Sequence, residues 1–304
     1  MHERRARAGW LPASIEIGAR KLIDRVGVVG CGLMGSGIAE VCAKAGVEVT
    51  VVELTPEALS QGETRIHASF DRAESRGKID ASGRSVAMSR LNFTTNVNEI
   101  RGCQIVFEAV AELKQVKLEL FETLDLVIGS DPVILASNTS SIPIAELAMA
   151  TTRPERVIGV HFFNPVPVLP LVEITSSLLT APDILEVIEN FLVNRLSRQV
   201  IKSRDQAGFV VNALLIPFLL SAIRMYESGS ASADDIDKGM ELGCAHPMGP
   251  LRLADFIGLD TVTAIAEVLF NEYKAVAYAP PPMLSRMVSS GLLGRKSGKG
   301  FYDY

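Results

Sequence analysis

The chain has few cysteines, no excess of basic charge and no apolar run long enough to span a bilayer. Its four cysteines, at 31, 42, 103 and 244 of 304 residues, include no Cys-x-x-Cys pair and have no histidine at metal-finger spacing. A disulfide framework or a structural zinc is therefore not expected, and the pattern suits a reducing compartment. The formal net charge is −5 and the pI about 5.5, so no global basic field attracts a phosphodiester backbone and no nucleic-acid partner is expected. The most apolar stretch, Phe209 to Ile223, is interrupted by Asn212, Pro217 and Ser221 and falls short of the roughly 18 residues a spanning helix requires. It reads as a buried core helix, with no membrane partner. Residues 1–22 carry Arg4, Arg5, Arg7 and Arg20 with Glu3 and Glu16, and no apolar run that could serve as a secretory signal. A cytoplasmic location is expected; the mitochondrial matrix is the alternative if this extension is a transit segment. With 48% hydrophobic and 21% charged residues, no repeat and no low-complexity tract, the chain is expected to fold as a globular enzyme.

What is present falls into two unequal parts. After the extension, short β-type runs alternate with helical patterns: 25–30, 47–52, 104–110, 133–136, 157–160, 171–175 and 199–202. Gly46 suits the left-handed position just past a helix, and Thr55-Pro56 reads as an N-cap followed by proline at the first helical position. Strands alternating with helices imply a mostly parallel sheet covered on both faces over residues 23–203. From 204 to 304 the β signal stops. A long apolar helix is expected over 207–226, another opens at Ser232, and 260–273 resumes the helical pattern.

Gly30-Cys-Gly32-Leu33-Met34-Gly35 lies directly after a strand and opens a helix. The first glycine permits the tight turn, the second lets the backbone approach a pyrophosphate, and the third allows close helix packing. Glu53, ending the second strand, stands near the 20-residue spacing of a ribose-binding carboxylate. A 2′-phosphate beside it would meet a repulsion of about a few kcal/mol at an effective dielectric near 20, and Leu54, Thr55 and Pro56 supply no offsetting charge. NAD is thus expected over NADP.

His161 follows the run Val157-Ile-Gly-Val160 and precedes Phe162-Phe-Asn-Pro165; a core histidine and a working one both fit that position. Glu173 lies in the apolar run Leu171-Val-Glu-Ile-Thr175, where burial without a partner would be costly. A His161/Glu173 pair resolves both cases, because a carboxylate fixes the imidazole tautomer that a general base needs. Asn138-Thr-Ser140-Ser141 follows another strand and reads equally as a turn or as a polar site wall. Asn212, inside the apolar helix, needs a hydrogen-bond partner, either a substrate oxygen or a helix contact.

Taken together, Val28-Val-Gly-Cys-Gly-Leu-Met-Gly35, Phe107-Glu-Ala-Val110, Ser137-Asn-Thr-Ser-Ser141, His161-Phe-Phe-Asn-Pro165, Gly249-Pro-Leu251 with Gly258-Leu-Asp260, and Gly294-Arg-Lys-Ser-Gly-Lys-Gly-Phe-Tyr302 resemble the L-3-hydroxyacyl-CoA dehydrogenase family from about residue 24 to the C-terminus. The resemblance implies an α/β Rossmann-like NAD-binding domain followed by an all-α domain that dimerises. It also implies reversible oxidation of (3S)-3-hydroxyacyl-CoA to 3-oxoacyl-CoA, with a short-chain substrate such as 3-hydroxybutyryl-CoA favoured. By motif position it casts His161 as base, Glu173 as its partner, and Ser140 and Asn212 as hydrogen-bonding groups at the substrate's C3 oxygen. Glu112, Lys117, Ser140 and Asn164 fall among residues lining the NAD site, and Ser69 and Arg76 at positions that contact coenzyme A. The chain departs from the family's usual Pro-Gly-Phe and Asn-Arg in having Ala207-Gly-Phe209 and Asn212-Ala213. Alternatives are a same-fold dehydrogenase of a non-CoA 3-hydroxy acid or sugar acid, and a non-catalytic NAD-binding paralogue.

Overall fold

The computed structural model describes residues 23–304, so the N-terminal extension and the transit-segment alternative lie outside the described residues. A β-branched run forms strand β1 (Arg25–Val29), Gly30 turns the chain into helix α1 (Leu33–Lys44), and β2 (Glu48–Val52) returns beside β1. Gly46, at φ 83°, makes the left-handed connection that the sequence predicts. The Thr55 hydroxyl accepts from Ala58 N at 3.2 Å and caps α2 (Pro56–Ser75), with Pro56 in the first turn. There follow α3 (Ala81–Met88), β3 (Leu91–Thr94), β4 (Ile105–Glu108), α4 (Lys114–Ile128), β5 (Ile134–Ser137), α5 (Ile144–Met149), β6 (Val157–Phe162), β7 (Leu171–Ser176), α6 (Pro182–Asn190) and β8 (Gln199–Arg204).

These strands form one sheet in the order β3-β2-β1-β4-β5-β6-β7-β8. Every neighbouring pair is parallel except β6 and β7, which run antiparallel. The seven expected strands are present; β3 is an addition. It is a short, partly exposed edge strand whose Leu-Asn-Phe-Thr sequence shows no strong apolar run. One face of the sheet packs Val28, Ile105 and Val160 against Ile38 of α1, Ile66 and Phe70 of α2 and Ile188 of α6. The other packs Val29, Val106 and Leu135 against Phe121 and Leu124 of α4 and Leu147 of α5. Both faces of the central strands are thus closed to water, as a parallel sheet requires, while the edge strands β3 and β8 stay partly exposed.

The remainder is helical: α7 (Val211–Glu227), α8 (Ala233–Cys244), α9 (Pro250–Ile257), α10 (Leu259–Tyr273) and α11 (Pro282–Ser289) around a separate core of Ile216, Leu220, Leu251, Val262, Leu269 and Leu284. Ser232 caps α8 by accepting from Asp235 N. The expected start of the first helix is corrected: α7 begins at Val211, not at 207. Gly208 and Phe209 take left-handed backbone, φ 76° and 49°, which an α-helix cannot contain. No described helix is long and apolar enough to cross a membrane.

Candidate active site

Strands β1, β2, β4, β5 and β6 all end at one edge of the sheet, and β1 lies at the point where the strand order reverses, between β2 and β4. Ligands of open α/β sheets bind at such an edge. The three motif glycines serve different ends there. Gly30 sits at φ 90°, and a Cβ on it would lie 2.7 Å from Ala109 O. A Cβ on Gly35 would lie 1.8 Å from Gly30 O, so only glycine lets α1 close onto the turn. At Gly32, in contrast, a Cβ would meet no protein atom within 4 Å. Nothing in the protein requires glycine there, whereas a pyrophosphate lying against the backbone does. Gly32 is also the N-cap of α1, makes no side-chain cap, and precedes a first turn without acidic residues, so the helix presents open amides and a partial positive charge to an anion. Leu33 is exposed and Met34 half-buried beside it.

Glu53 turns its carboxylate back onto this turn: Oε1 accepts from Cys31 N at 2.5 Å, and Oε2 from Leu54 N at 3.2 Å. A carboxylate has about four acceptor positions, so further ones remain for a ribose diol. Leu54 to Pro56 carry no positive charge, as read from the sequence, but Arg65 of α2 reaches the same turn and donates to Cys31 O at 3.2 Å. Burial, reinforced by the Glu53 charge, pushes the Cys31 thiol up to about 12. The residues present therefore fit NAD: amides for the pyrophosphate, Glu53 for the ribose, and an empty shell where a Gly32 side chain would stand.

Next to the turn lies a charge network built on a buried lysine. Lys117, 1% exposed, places Nζ 2.5 Å from Glu108 Oε1 and 3.2 Å from Glu112 Oε2. Glu108 also accepts from Val110 N at 2.8 Å and from Ser137 Oγ at 2.6 Å. The paired charges and hydrogen bonds offset the cost of burying this lysine. Glu112 Oε1 accepts from Thr139 Oγ1 at 2.5 Å, Ser140 N at 2.9 Å and Ser141 Oγ at 3.1 Å. Burial alone would raise the Glu112 carboxyl, but Lys117 and the bonds from Thr139 and Ser140 outweigh it and hold the group below its ordinary value. Residues 137–141 are thus fixed from two sides, and Asn138 Oδ1 accepts from Phe162 N at 2.9 Å, tying the end of β5 to β6.

His161 and Glu173 face each other directly across the antiparallel β6/β7 pair. His161 Nδ1 lies 2.8 Å from Glu173 Oε2, with Glu173 fully buried and His161 nearly so. A carboxylate only accepts, so Nδ1 carries the proton and Nε2 keeps the lone pair. Phe163 and Phe209 pack on the imidazole at ring distances of 4.5 and 6.0 Å. Glu173 Oε1 accepts from Val210 N at 3.1 Å and Val211 N at 2.9 Å, at the start of α7. Asn212, buried, is the next residue of that helix.

A cleft of about 190 Å³ between α1, α2 and the segment after β6 is lined by Ser69 and Asn164 together with Leu33, Glu40, Arg65 and Arg72. Ser69 and Asn164 are thereby brought together, whereas Arg76 stands exposed at the C-cap of α2 and does not line this cleft. Glu108, Arg65, Arg72 and the Val210 and Val211 amides were not singled out from the sequence. Arg65, Ser69, Arg72 and Arg76 recur at i, i+4, i+7 and i+11, one face of α2, and that spacing could have flagged the two arginines. The backbone amides leave no mark in a sequence.

A Rossmann-like sheet with a glycine turn, a carboxylate from the end of β2 closing on that turn, and a histidine hydrogen-bonded to a buried glutamate defines an NAD-dependent dehydrogenase. Residues 25–206 match the family model for the 3-hydroxyacyl-CoA dehydrogenase NAD binding domain, and residues 208–304 match that for the 3-hydroxyacyl-CoA dehydrogenase C-terminal domain. A 3-hydroxybutyryl-CoA dehydrogenase of Mycobacterium tuberculosis is 54% identical over 282 residues, covering 93% of this chain and 99% of that protein. The crystal structure of M. tuberculosis FadB2 superposes with a TM-score of 0.92 at 53% identity, covering 93% of this chain and 100% of that one. That of (S)-3-hydroxybutyryl-CoA dehydrogenase PaaH1 from Ralstonia eutropha gives 0.89 at 41% identity, covering 93% and 99%. The chain belongs to the 3-hydroxyacyl-CoA dehydrogenase family.

Proposed function

We propose that this enzyme interconverts a short-chain (3S)-3-hydroxyacyl-CoA, such as 3-hydroxybutyryl-CoA, and the 3-oxoacyl-CoA, with His161 as general base. The observation that carries this reading is the buried His161–Glu173 pair at 2.8 Å. It leaves Nε2 as a proton acceptor and provides a negative charge for the imidazolium that forms when the 3-hydroxyl proton is taken. In the reverse direction the imidazolium returns that proton to the ketone oxygen. NAD, when bound, supplies the acceptor for the hydride leaving C3. Gly30, Gly32, Gly35 and the adjoining Leu33 and Met34 would hold its pyrophosphate, Glu53 its ribose, and Glu112, Lys117, Ser140 and Asn164 the nicotinamide side. Ser140 and Asn212 would donate to the C3 oxygen, and Ser69 and Arg76 would meet coenzyme A.

The coenzyme A assignment draws support from the Ser69/Arg65/Arg72 face of the cleft, which sets positive charge on an acidic chain where a polyanion would lie. The test is the initial rate of NADH oxidation with acetoacetyl-CoA, longer 3-oxoacyl-CoAs and free acetoacetate. Turnover should be highest for a short acyl-CoA and near background for the free acid; equal rates with the free acid would refute a coenzyme A substrate.

A homodimer through the helical part belongs to the same reading. Val210, Leu214 and Met225 are exposed, and with the half-buried Phe218 they form an apolar stripe at helical spacing from the N-cap along α7, which a second copy would cover.

A further inference from the structure

We infer that the turn at residues 207–211 is a positioning element for the base, clamping Glu173 from the helical part of the molecule so that the dyad is complete only when α7 is docked on the sheet. The inference rests on the reading of His161 as base. Glu173 is fully buried, and each of its oxygens has a distinct task. Oε2 meets His161 Nδ1 at 2.8 Å; Oε1 accepts from the Val210 and Val211 amides at 3.1 and 2.9 Å. A carboxylate bound through one oxygen alone could rotate away from the imidazole and would leave a buried acceptor unpaired.

The two amides prevent both without supplying a full positive charge. A lysine or arginine in their place would compete with the imidazolium for the same carboxylate. The neighbouring strand adds no charge here, since Glu173 pairs with Ile201 on β8.

The turn is built to aim these amides. Gly208 and Phe209 are consecutive left-handed residues, and a Cβ on Gly208 would lie 2.7 Å from Leu269 Cδ2 and 2.9 Å from Ala213 N. Phenylalanine takes this backbone only where its surroundings enforce it. Here the ring is buried and packs on the His161 ring, and α10 grips the turn from behind: Tyr273 Oη donates to Ala207 O at 3.1 Å, and Ala207 N donates to Glu272 Oε1 at 3.4 Å. The family's usual proline at position 207 would have no N–H to give, so alanine in this chain adds a tether of its own. Mechanical continuity therefore runs from α10 through the turn and the α7 amides to Glu173 and His161.

The test is to replace Val211 in the full-length enzyme by its α-hydroxy acid analogue, which substitutes an ester oxygen for the N–H and keeps the side chain. The expected result is a fall in kcat of roughly 10- to 100-fold, with KM for NADH and acetoacetyl-CoA within about twofold. The same replacement at Leu219, two turns along α7, deletes a helix hydrogen bond remote from Glu173 and should leave kcat within about threefold. Wild-type kcat in the Val211 ester enzyme, while His161→Ala is impaired, overturns the clamp and leaves the base assignment standing. Wild-type turnover by His161→Ala removes both. Should the ester chain not fold, Phe209→Asn and Phe209→Val provide the comparison, because both lose the ring but only asparagine tolerates left-handed backbone. The asparagine variant should turn over at least about tenfold faster at similar KM; equal kcat values contradict the clamp.

Discussion

Substituting Gly32 separates what the protein requires of the glycine turn from what a cofactor requires. A methyl group at position 32 enters space with no protein atom within 4 Å, and the residue has extended backbone at φ −67° and ψ −157°. Restricting the unfolded chain stabilises by about 0.4–1 kcal/mol, and exchanging glycine for alanine at an N-cap costs about as much, so the net change is within about 1 kcal/mol. For a chain of this size that is no more than about 4 °C in Tm. The same methyl would stand where a pyrophosphate must approach the amides. Losing one charge-assisted hydrogen bond, about 1.5–3 kcal/mol, raises the NAD Kd roughly 10- to 100-fold. Gly35→Ala is the counterpart: its Cβ would lie 1.8 Å from Gly30 O, so it should lower Tm sharply whether or not cofactor is present. Calorimetric titration with NADH and thermal unfolding of both variants provide the readouts. A Gly32→Ala protein that binds NADH as tightly as wild type would show that the turn does not hold the pyrophosphate.

Other perturbations follow from the same geometry. His161→Ala should lower turnover about 10²- to 10⁴-fold with the fold intact, measured by steady-state NADH oxidation and circular dichroism; unchanged turnover removes the base assignment. Glu53→Ala should weaken NAD binding and narrow the gap to NADP, because Arg65 beside the Cys31 carbonyl then faces a 2′-phosphate without the opposing carboxylate; an unchanged NAD/NADP ratio of kcat/KM contradicts this. Leu214→Asp should shift sedimentation toward the monomer if the α7 stripe is covered by a second copy, and an unaltered sedimentation profile argues against that interface. Raising salt from low to physiological strength should increase KM for acetoacetyl-CoA more than for NADH, since exposed arginines are screened over about 8–10 Å whereas turn amides act at contact; parallel increases would discount the arginine face.

How much of this was legible in the sequence depends on how local each feature is. Gly30, Gly32, Gly35 and Glu53 lie within one strand-turn-helix-strand unit, so their spacing alone defines the turn and its carboxylate. The His161–Glu173 pair was legible for a different reason: a carboxylate in an apolar strand needs a partner, and few were on offer. That β7 reverses direction and places the two residues opposite each other is a matter of topology that no local pattern encodes. The apolar pattern from 207 onward reads as one helix because hydrophobicity does not report backbone handedness. The left-handed Gly208 and Phe209 are hidden in it, and with them the amides that reach Glu173. Arg65 and Arg72 carry helical spacing, but which face of α2 meets the sheet edge is settled only by packing.

The acidic balance of the chain takes on its meaning in this arrangement. A net charge of −5 would oppose two polyanionic ligands if it acted as a uniform field. Instead, open amides stand at the start of α1, arginines line one face of α2, and the acids beside the site have partners: Glu108 and Glu112 pair with Lys117, and Glu173 with His161 and the α7 amides. Glu53 turns its carboxylate onto the glycine turn, where it would accept from a ribose diol and oppose a further phosphate. On the proposed reading, attraction and discrimination are therefore local to the glycine turn and the arginine face of α2, and the rest of the surface charge is screened from them over about 8–10 Å.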